Sequence, residues 1–334
     1  MSKYILAIET SCDETACAIV KDNNQILSNI VSSQINVHEL YGGVVPEVAS
    51  RIHIENISLV IEEALKEAKI TIDDIDAIAV TQGPGLIGSL HVGIQAAKTI
   101  AWLYNKPIIP LHHIVGHIYA NKFVDELEFP LLALVVSGGH TELIYMEKEY
   151  SFEVIGTTQD DAIGEAYDKV ARVLGLGYPG GPKIDNLAKT GKENYTLPIP
   201  KVENPYDFSF SGLKSAVIQL INRLERKNEK VIKEDVAYSF QESALSQILK
   251  ITEKALNDYK PKHLVLAGGV AANSRLRELM QDMILKYPNI KLTIPPLWCC
   301  TDNAAMMAVA GSVAYDHKLF GDLYFSAQPS KPIS

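Results

Sequence analysis

Cysteine is scarce in this sequence: four residues in 334, placed as Cys12/Cys17 and Cys299/Cys300. Neither pair has C-x-x-C spacing, which excludes the common zinc-ribbon and dithiol redox motifs. Reduced thiols are the expectation. Long apolar runs are missing too. "PLLALVV" (130–136) is the length of a strand, far below the roughly 20 residues a membrane span needs. The opening "MSKYILAIET" has one lysine and a run of four apolar residues before Glu9, too little for an export signal. A cytoplasmic protein is therefore expected. Positive charge is also in deficit. A net charge of −9 argues against broad, nonspecific binding of nucleic acid, while leaving room for RNA held by a local basic patch or a partner.

What remains is ordinary globular composition, 47% apolar and 21% charged, in a chain long enough for two lobes. The order of elements occurs twice. Strand "YILAIET", turn "SCDE", strand "TACAIVK", turn "DNN" and strand "QILSNIVSS" open the chain. A loop with "YGGVVPE" leads to an amphipathic helix near 52–69, then strand "AIAVT", "QGPGLIGSL" and a helix to about Leu103. From Phe129, strand "LLALVV", turn "SGGH", strand "TELIYME" and strand "SFEVIGTT" restate the pattern. Strand "HLVLAGGV" and helix "NSRLRELMQDMIL" then parallel "AIAVT" and its helix. The sequence thus predicts an α/β fold of two related lobes over 1–128 and 129–334, with a helical insertion around 160–250.

A duplicated β-β-β-α-β-α layout resembles the actin, hexokinase and Hsp70 superfamily. That resemblance implies two actin-like lobes facing a central nucleotide cleft. A hairpin turn from each lobe would grip phosphate, and a glycine turn would contact adenosine. "ETSCDET" and "VSGGHT" occupy the hairpin positions, and "AGGVAAN" the adenosine-side turn. Glycines let backbone N–H groups approach an anion; their alternative duty is merely to permit tight turns. Between them, "EAYDKVARVLGLGYPGGPKIDN" offers Asp168 and Asp185 as acids for ribose hydroxyls, or equally as helix-surface and capping acids.

The hexapeptide "HHIVGH" (112–117) places His113 and His117 four residues apart, on one face of a helix. The glutamate of the zinc-protease motif H-E-x-x-H is missing, because Ile114 follows His113. Without that general base the protease reading loses its chemistry. A third ligand is available in "CCTDNAAMMAVAG", where Asp302 stands at a helix start and is equally a candidate N-cap. Two imidazoles and a carboxylate suit ferrous iron, and zinc is also allowed.

Several longer strings carry a more specific resemblance. "AIETSCDET", "GGVVPEVASRIHIENI", "GPGLIGSL", "HHIVGHIYAN", "LVVSGGHTELI", "DDAIGEAYDKVARVLGLGYPGGPKID", "FSFSGLKSAV", "LAGGVAAN" and "CTDNAAM" together resemble the bacterial branch (TsaD) of the universal tRNA threonylcarbamoyltransferase family, once mislabelled a sialoglycoprotein endopeptidase. The likeness runs from about Tyr4 to Gly311.

The resemblance implies transfer of a threonylcarbamoyl group from threonylcarbamoyl-adenylate to the N6 amine of the adenosine beside the anticodon, releasing AMP. The tRNAs concerned read codons beginning with A. It implies His113, His117 and Asp302 as ligands of one divalent metal, usually iron. Backbone of Val135, Val136, Ser137, Gly138 and Gly139 would bind the intermediate, with Asp168, Gly181, Asp185 and Asn273 as nucleotide contacts. Glu14 and Asp13, in the first hairpin turn, are candidates for acid/base or positioning work. Expected partners are tRNA, an inactive paralogue (TsaB-like) and an ATPase (TsaE-like). Two other readings stay open: an ATP-dependent phosphotransferase of the same superfamily, and a noncatalytic scaffold. The first leaves the two histidines and Asp302 idle; the second sits badly with a complete ligand set.

Overall fold

Strand β1 (Tyr4–Glu9) is apolar up to its closing Glu9 and buried from Ile5 onward, as a central strand covered on both faces must be. It pairs antiparallel with β2 (Glu14–Lys21), which pairs antiparallel with β3 (Gln25–Ser33). On its other side lie parallel β4 (Ala77–Gly83) and β5 (Ile108–His112), giving the order β3-β2-β1-β4-β5. The computed structural model describes residues 2–198 and 202–333. Within them a second five-stranded sheet repeats this plan. Its strands are β6 (Leu131–Val136), β7 (Thr141–Met146), β8 (Glu153–Thr157), β9 (His263–Ala267) and β10 (Lys291–Thr293). Their order, β8-β7-β6-β9-β10, has the same two antiparallel and two parallel pairings. The duplication legible in the sequence is thus a duplication of topology, and the fold is of the actin-like α/β class.

The chain divides into two units, Met1–Glu126 with Thr301–Ser334, and Leu127–Cys300. The first contains helices α1 (Ile35–Glu39), α2 (Pro46–Ala68), α3 (Ile87–Leu103) and α4 (His113–Tyr119). Helix α2 begins earlier than the expected Ile52, because Pro46 sits at the first helical turn, where its missing N–H costs nothing. Leu6, Ile8, Ile19, Val60, Leu90 and Ile94 form part of the core under α2 and α3.

The second unit carries α5 (Ile163–Val173), α6 (Gly180–Ala188), α7 (Ser211–Arg226) and α8 (Lys233–Tyr259), followed by α9 (Ser274–Ile284) and α10 (Leu297–Cys300). Helices α5 to α8 fall in or overlap the stretch around 160–250, with no helix among the described residues between α6 and α7. Leu132, Leu134, Tyr167, Phe240, Ile248 and Leu264 belong to its core.

The expected second lobe, 129–334, is wrong at its C-terminal end. Helix α11 (Ala304–Asp316) packs on β1, β2 and β4 of the first sheet and on α4. Every residue from Ala304 to Ala314 is buried, the mark of a helix surrounded by protein. Its small residues allow the close approach. Ala304 and Ala305 pack with Ala16 and Ala18, and a Cβ added to Gly311 would stand 2.7 Å from that of Ala79.

Residues 325–331 then follow the ends of β4 and β5. Gln82 donates to the Ser326 carbonyl and accepts at its own carbonyl from Gln328 N–H, while Gly85 N–H donates to Pro329 O.

Candidate metal centre and nucleotide turns

Helix α4 leaves β5 directly, and His112 at the junction is its N-cap. The His112 Nδ1 accepts from the Ile114 N–H at 3.2 Å, so its proton is on Nε2, which donates to the Lys331 carbonyl at 2.9 Å. One turn of helix then brings His113 and His117 together, with ring centroids 4.7 Å apart and planes at 87°.

Asp302 arrives in the turn before α11. Its Oδ1 lies 3.4 Å from His113 Nε2 and 3.2 Å from His117 Nε2. One ligand atom from each of the three residues falls within 4.8 Å of the others. The alternative duty foreseen for Asp302, capping the helix, belongs to its neighbour. Asn303 takes the extended N-cap conformation and its Oδ1 accepts from Met306 N–H at 3.0 Å. Asp302 is thereby left to face the imidazoles.

The donor set fits one divalent ion: two buried imidazoles presenting Nε2 on the same side, and one carboxylate. Its electrostatics agree. Burial alone would lower the His113 pKa, but the Asp302 and Glu9 carboxylates raise it well above the usual value. Burial prevails at His117 and lowers it. Burial opposes ionisation of Asp302, yet the two imidazoles hold its carboxyl far below the usual range.

Of the hairpin-turn acids, Asp13 is buried, and Glu14 accepts from the Ser33 hydroxyl at 3.2 Å. Burial, with the charges of Asp302 and Asp13, raises the Glu14 carboxyl well above the ordinary carboxylate range. Glu14 is thus coupled electrostatically to Asp302 of the candidate metal centre.

Sequence reasoning missed two residues here. Glu9 ends β1, has no exposed surface, and lies 3.1 Å from His113 Nδ1. The signal was an acid closing a wholly apolar strand. The other is His112, which seemed only part of a histidine run.

In the second unit, Val135 and Val136 bury their side chains completely, so only their backbone can serve a ligand. The turn after them is self-braced: Ser137 N–H donates to His140 O at 2.8 Å, and His140 N–H to Ser137 Oγ at 3.0 Å. A Cβ at Gly138 or Gly139 would meet nothing within 4 Å. Neither glycine has positive φ, so the turn itself does not demand glycine there. Gly268 differs. It has φ +90, and a Cβ would strike the Val136 carbonyl at 2.4 Å.

The nucleotide candidates fall into two pairs. Asp168 accepts from Gly180 N–H at 2.7 Å, at the start of α6, where Gly181 leaves open space. Asp185 accepts from Ser274 N–H at 3.0 Å and from Ser274 Oγ, next to Asn273. Asn273 is already engaged on both sides of its amide. Its Oδ1 caps α9 through Leu276 N–H at 2.8 Å, and its Nδ2 donates to Gln241 Oε1 at 3.0 Å.

Residues 25–309 match the family model described as TsaD: tRNA N6-adenosine threonylcarbamoyltransferase. The chain is 54% identical over 329 residues to the tRNA N6-adenosine threonylcarbamoyltransferase of Bacillus subtilis (strain 168), covering 98% of this chain and 94% of that one. It is 55% identical over 330 residues to the protein of that name from Bacillus anthracis, covering 98% and 96%. The chain belongs to the tRNA N6-adenosine threonylcarbamoyltransferase family. It is a tRNA-modifying transferase.

Solved structures of other proteins share its fold. HypF of T. kodakarensis superposes with a TM-score of 0.65 at 14% identity, over 94% of this chain and 48% of that one. The Acidaminococcus fermentans (R)-2-hydroxyglutaryl-CoA dehydratase component A superposes with a TM-score of 0.55 at 15% identity, over 94% and 99%. For a threonylcarbamoyltransferase these likenesses speak to architecture alone. Among the described residues, no helix is long and apolar enough to cross a membrane.

Proposed function

We propose that this transferase moves the threonylcarbamoyl group of threonylcarbamoyl-adenylate to the N6 amine of the adenosine 3′ to the anticodon, in tRNAs reading codons that begin with A. The observation that carries the reading is the convergence of His113, His117 and Asp302 on one ligand position beside the acids of the first hairpin turn. We assign iron(II) to that position. When bound, a divalent ion there supplies Lewis acidity toward the carbamoyl carbonyl.

The chain's own residues do the rest. The open Gly138–Gly139 backbone, in the turn braced by Ser137, offers N–H donors to the adenylate phosphate, and Asp168 and Asp185 take the ribose hydroxyls. Asn273 acts through the turn it caps. The N6 nitrogen bonds to the carbamoyl carbon, the bond from that carbon to the phosphate oxygen breaks, and AMP leaves. The amine proton passes to a carboxylate, for which Glu14, with its raised pKa, is the candidate and Asp13 its neighbour. Since no covalent enzyme intermediate is needed, positioning supplies much of the rate. The family likeness also supports a TsaB-like inactive paralogue and a TsaE-like ATPase as partners, and a cytoplasmic setting.

The test is a transfer assay with threonylcarbamoyl-adenylate, unmodified tRNA and the partner proteins, reading the modified nucleoside by mass spectrometry. Product with wild type and none with His113→Ala is the expected result. Product that survives the substitution removes His113 from the reaction. No product with active partners present overturns the assignment.

A further inference from the structure

Glu9 is a carboxylate with no exposed surface, in a strand otherwise made of apolar residues, and the transfer reaction as set out above gives it no task. Burying a charge is costly unless donors surround it, so its contacts show what keeps it there. Oε1 accepts from Ser11 N–H at 2.5 Å, within the turn that follows β1. Oε2 accepts a short hydrogen bond from the Thr81 hydroxyl on β4. The same Oε2 lies 3.1 Å from His113 Nδ1. Two anchors therefore pin the carboxylate to the sheet, and its third contact is a ligand imidazole.

That contact has a chemical consequence. An ionised carboxylate only accepts, so the His113 proton must sit on Nδ1. Nε2, the nitrogen facing Asp302, then carries the lone pair once the ring is neutral. The Ser11 hydroxyl, 3.2 Å from the same Nδ1, closes the other side of the ring edge. His117 has no such arrangement: its Nδ1 is buried and meets no hydrogen-bond partner among the described residues. The two histidines are chemically unequal. One is pre-set in tautomer and orientation by a carboxylate behind it, and the other has no such support at Nδ1.

We propose that Glu9 is the positioning residue of the metal centre, holding His113 as an Nδ1–H imidazole with Nε2 aimed at the ion, while Thr81 and Ser11 fix Glu9. The inference rests on the metal reading of His113, His117 and Asp302. Outer carboxylates of this kind raise ligand basicity, and their loss weakens metal binding about 10–100-fold.

The test uses the full chain and Co2+ as probe, with affinity from competition against a chromophoric chelator, the visible cobalt spectrum as a second readout, and thermal unfolding as a check on folding. Four proteins are compared: wild type, His113→Ala, Glu9→Gln and Thr81→Val. Glu9→Gln keeps the shape and an acceptor oxygen but removes the charge. Thr81→Val removes one anchor without touching His113.

The expected result is about 10–100-fold weaker Co2+ binding with an altered spectrum in Glu9→Gln, and a smaller loss in Thr81→Val, both beside a wild-type unfolding curve. If wild type and His113→Ala bind Co2+ equally, the metal reading fails and takes this inference with it. If His113→Ala loses binding but Glu9→Gln binds like wild type with the same spectrum, the metal site stands and the role of Glu9 is overturned. Should Glu9→Gln fail to fold, Thr81→Val decides, and an unchanged affinity there overturns the proposal.

Discussion

Gly116 lies against Met307 so closely that a Cβ on the glycine would stand 2.3 Å from the methionine Sδ. Gly116 sits on α4 between His113 and His117, and fully buried Met307 is on α11, just beyond Asp302. The absent side chain therefore sets the spacing between the helix with two ligands and the turn with the third. Gly116→Ala should destabilise the fold by about 1–3 kcal/mol through overpacking, despite the better helix propensity of alanine. The wider spacing should also lower metal retention. Urea unfolding and metal content after gel filtration measure the two effects.

Metal uptake should depend on pH in a definite direction. Although burial opposes it, the Asp302 and Glu9 charges raise the His113 pKa, so His113 stays protonated to higher pH than a free imidazole. A ligand must shed its proton to bind, so uptake releases a proton and affinity rises with pH until His113 is neutral without the metal. Affinity should still climb as pH rises past the ordinary imidazole value of about 6.5, and calorimetry in two buffers of different ionisation enthalpy should show the proton leaving.

Asp160 organises the start of α7 from a distance. It accepts from Phe210 N–H at 2.7 Å, from Ser211 N–H at 3.1 Å, and from the Ser209 and Ser211 hydroxyls. Phe210, at the N-cap, has no side-chain acceptor to offer. Asp160→Ala should cost about 0.5–2 kcal/mol, the range for losing a helix cap. Partial burial opposes it, but these donors depress the native Asp160 pKa. Its contribution is thus present above the unfolded value of about 3.9 and fades as pH falls through the native pKa. The stability gap between wild type and Asp160→Ala should narrow below about pH 4.

Asn273 has a structural duty that any test of the proposed nucleotide turn must separate out. Asn273→Ala removes both the α9 cap and the donor to Gln241, and should lower stability by about 1–3 kcal/mol. Asn273→Asp keeps the capping oxygen and should cost less at α9, but leaves Gln241 Oε1 facing a carboxylate. Thermal unfolding of both variants, run before any nucleotide titration, separates a damaged turn from a lost contact.

Removing residues 325–334 should destabilise the first unit by about 2.5–7.5 kcal/mol, at about 0.5–1.5 kcal/mol for each of five hydrogen bonds lost. The lost partners are the Phe325 and Ser326 carbonyls for Lys98 and Gln82, Gln328 and Pro329 for the Gln82 and Gly85 backbone, and Lys331 O for His112. Because His112 caps α4, metal affinity should fall as well. Chemical denaturation and chelator competition on the truncated chain check both.

How far the sequence reached depended on the range of the physics involved. Strands such as "LLALVV" and "TELIYME" were legible because apolar runs and polar corners are local signals. The His113/His117 pair was legible because a helix puts i and i+4 on one face. The choice between Asp302 and Asn303 as cap was not, since both precede the same Ala-rich helix and only the extended backbone at Asn303 decides it. Glu9 was out of reach altogether: its partner His113 is 104 positions away, and no periodicity connects a strand end to a distant helix. The home of α11 failed for the same reason, as a helix apolar on all sides does not say which sheet it covers.

The return of Thr301–Ser334 to the first sheet also sets a timetable. The ribosome delivers β1 to β5 first, yet the helix that covers them and the aspartate that completes the ligand triplet come only after the whole of Leu127–Cys300. The middle segment is continuous and is free to settle as it emerges, so the part of the protein made first is the part finished last. Until then one face of the opening sheet stays bare, two histidines wait without their carboxylate, and a nascent chain cut short before residue 302 lacks the third member of the proposed ligand set.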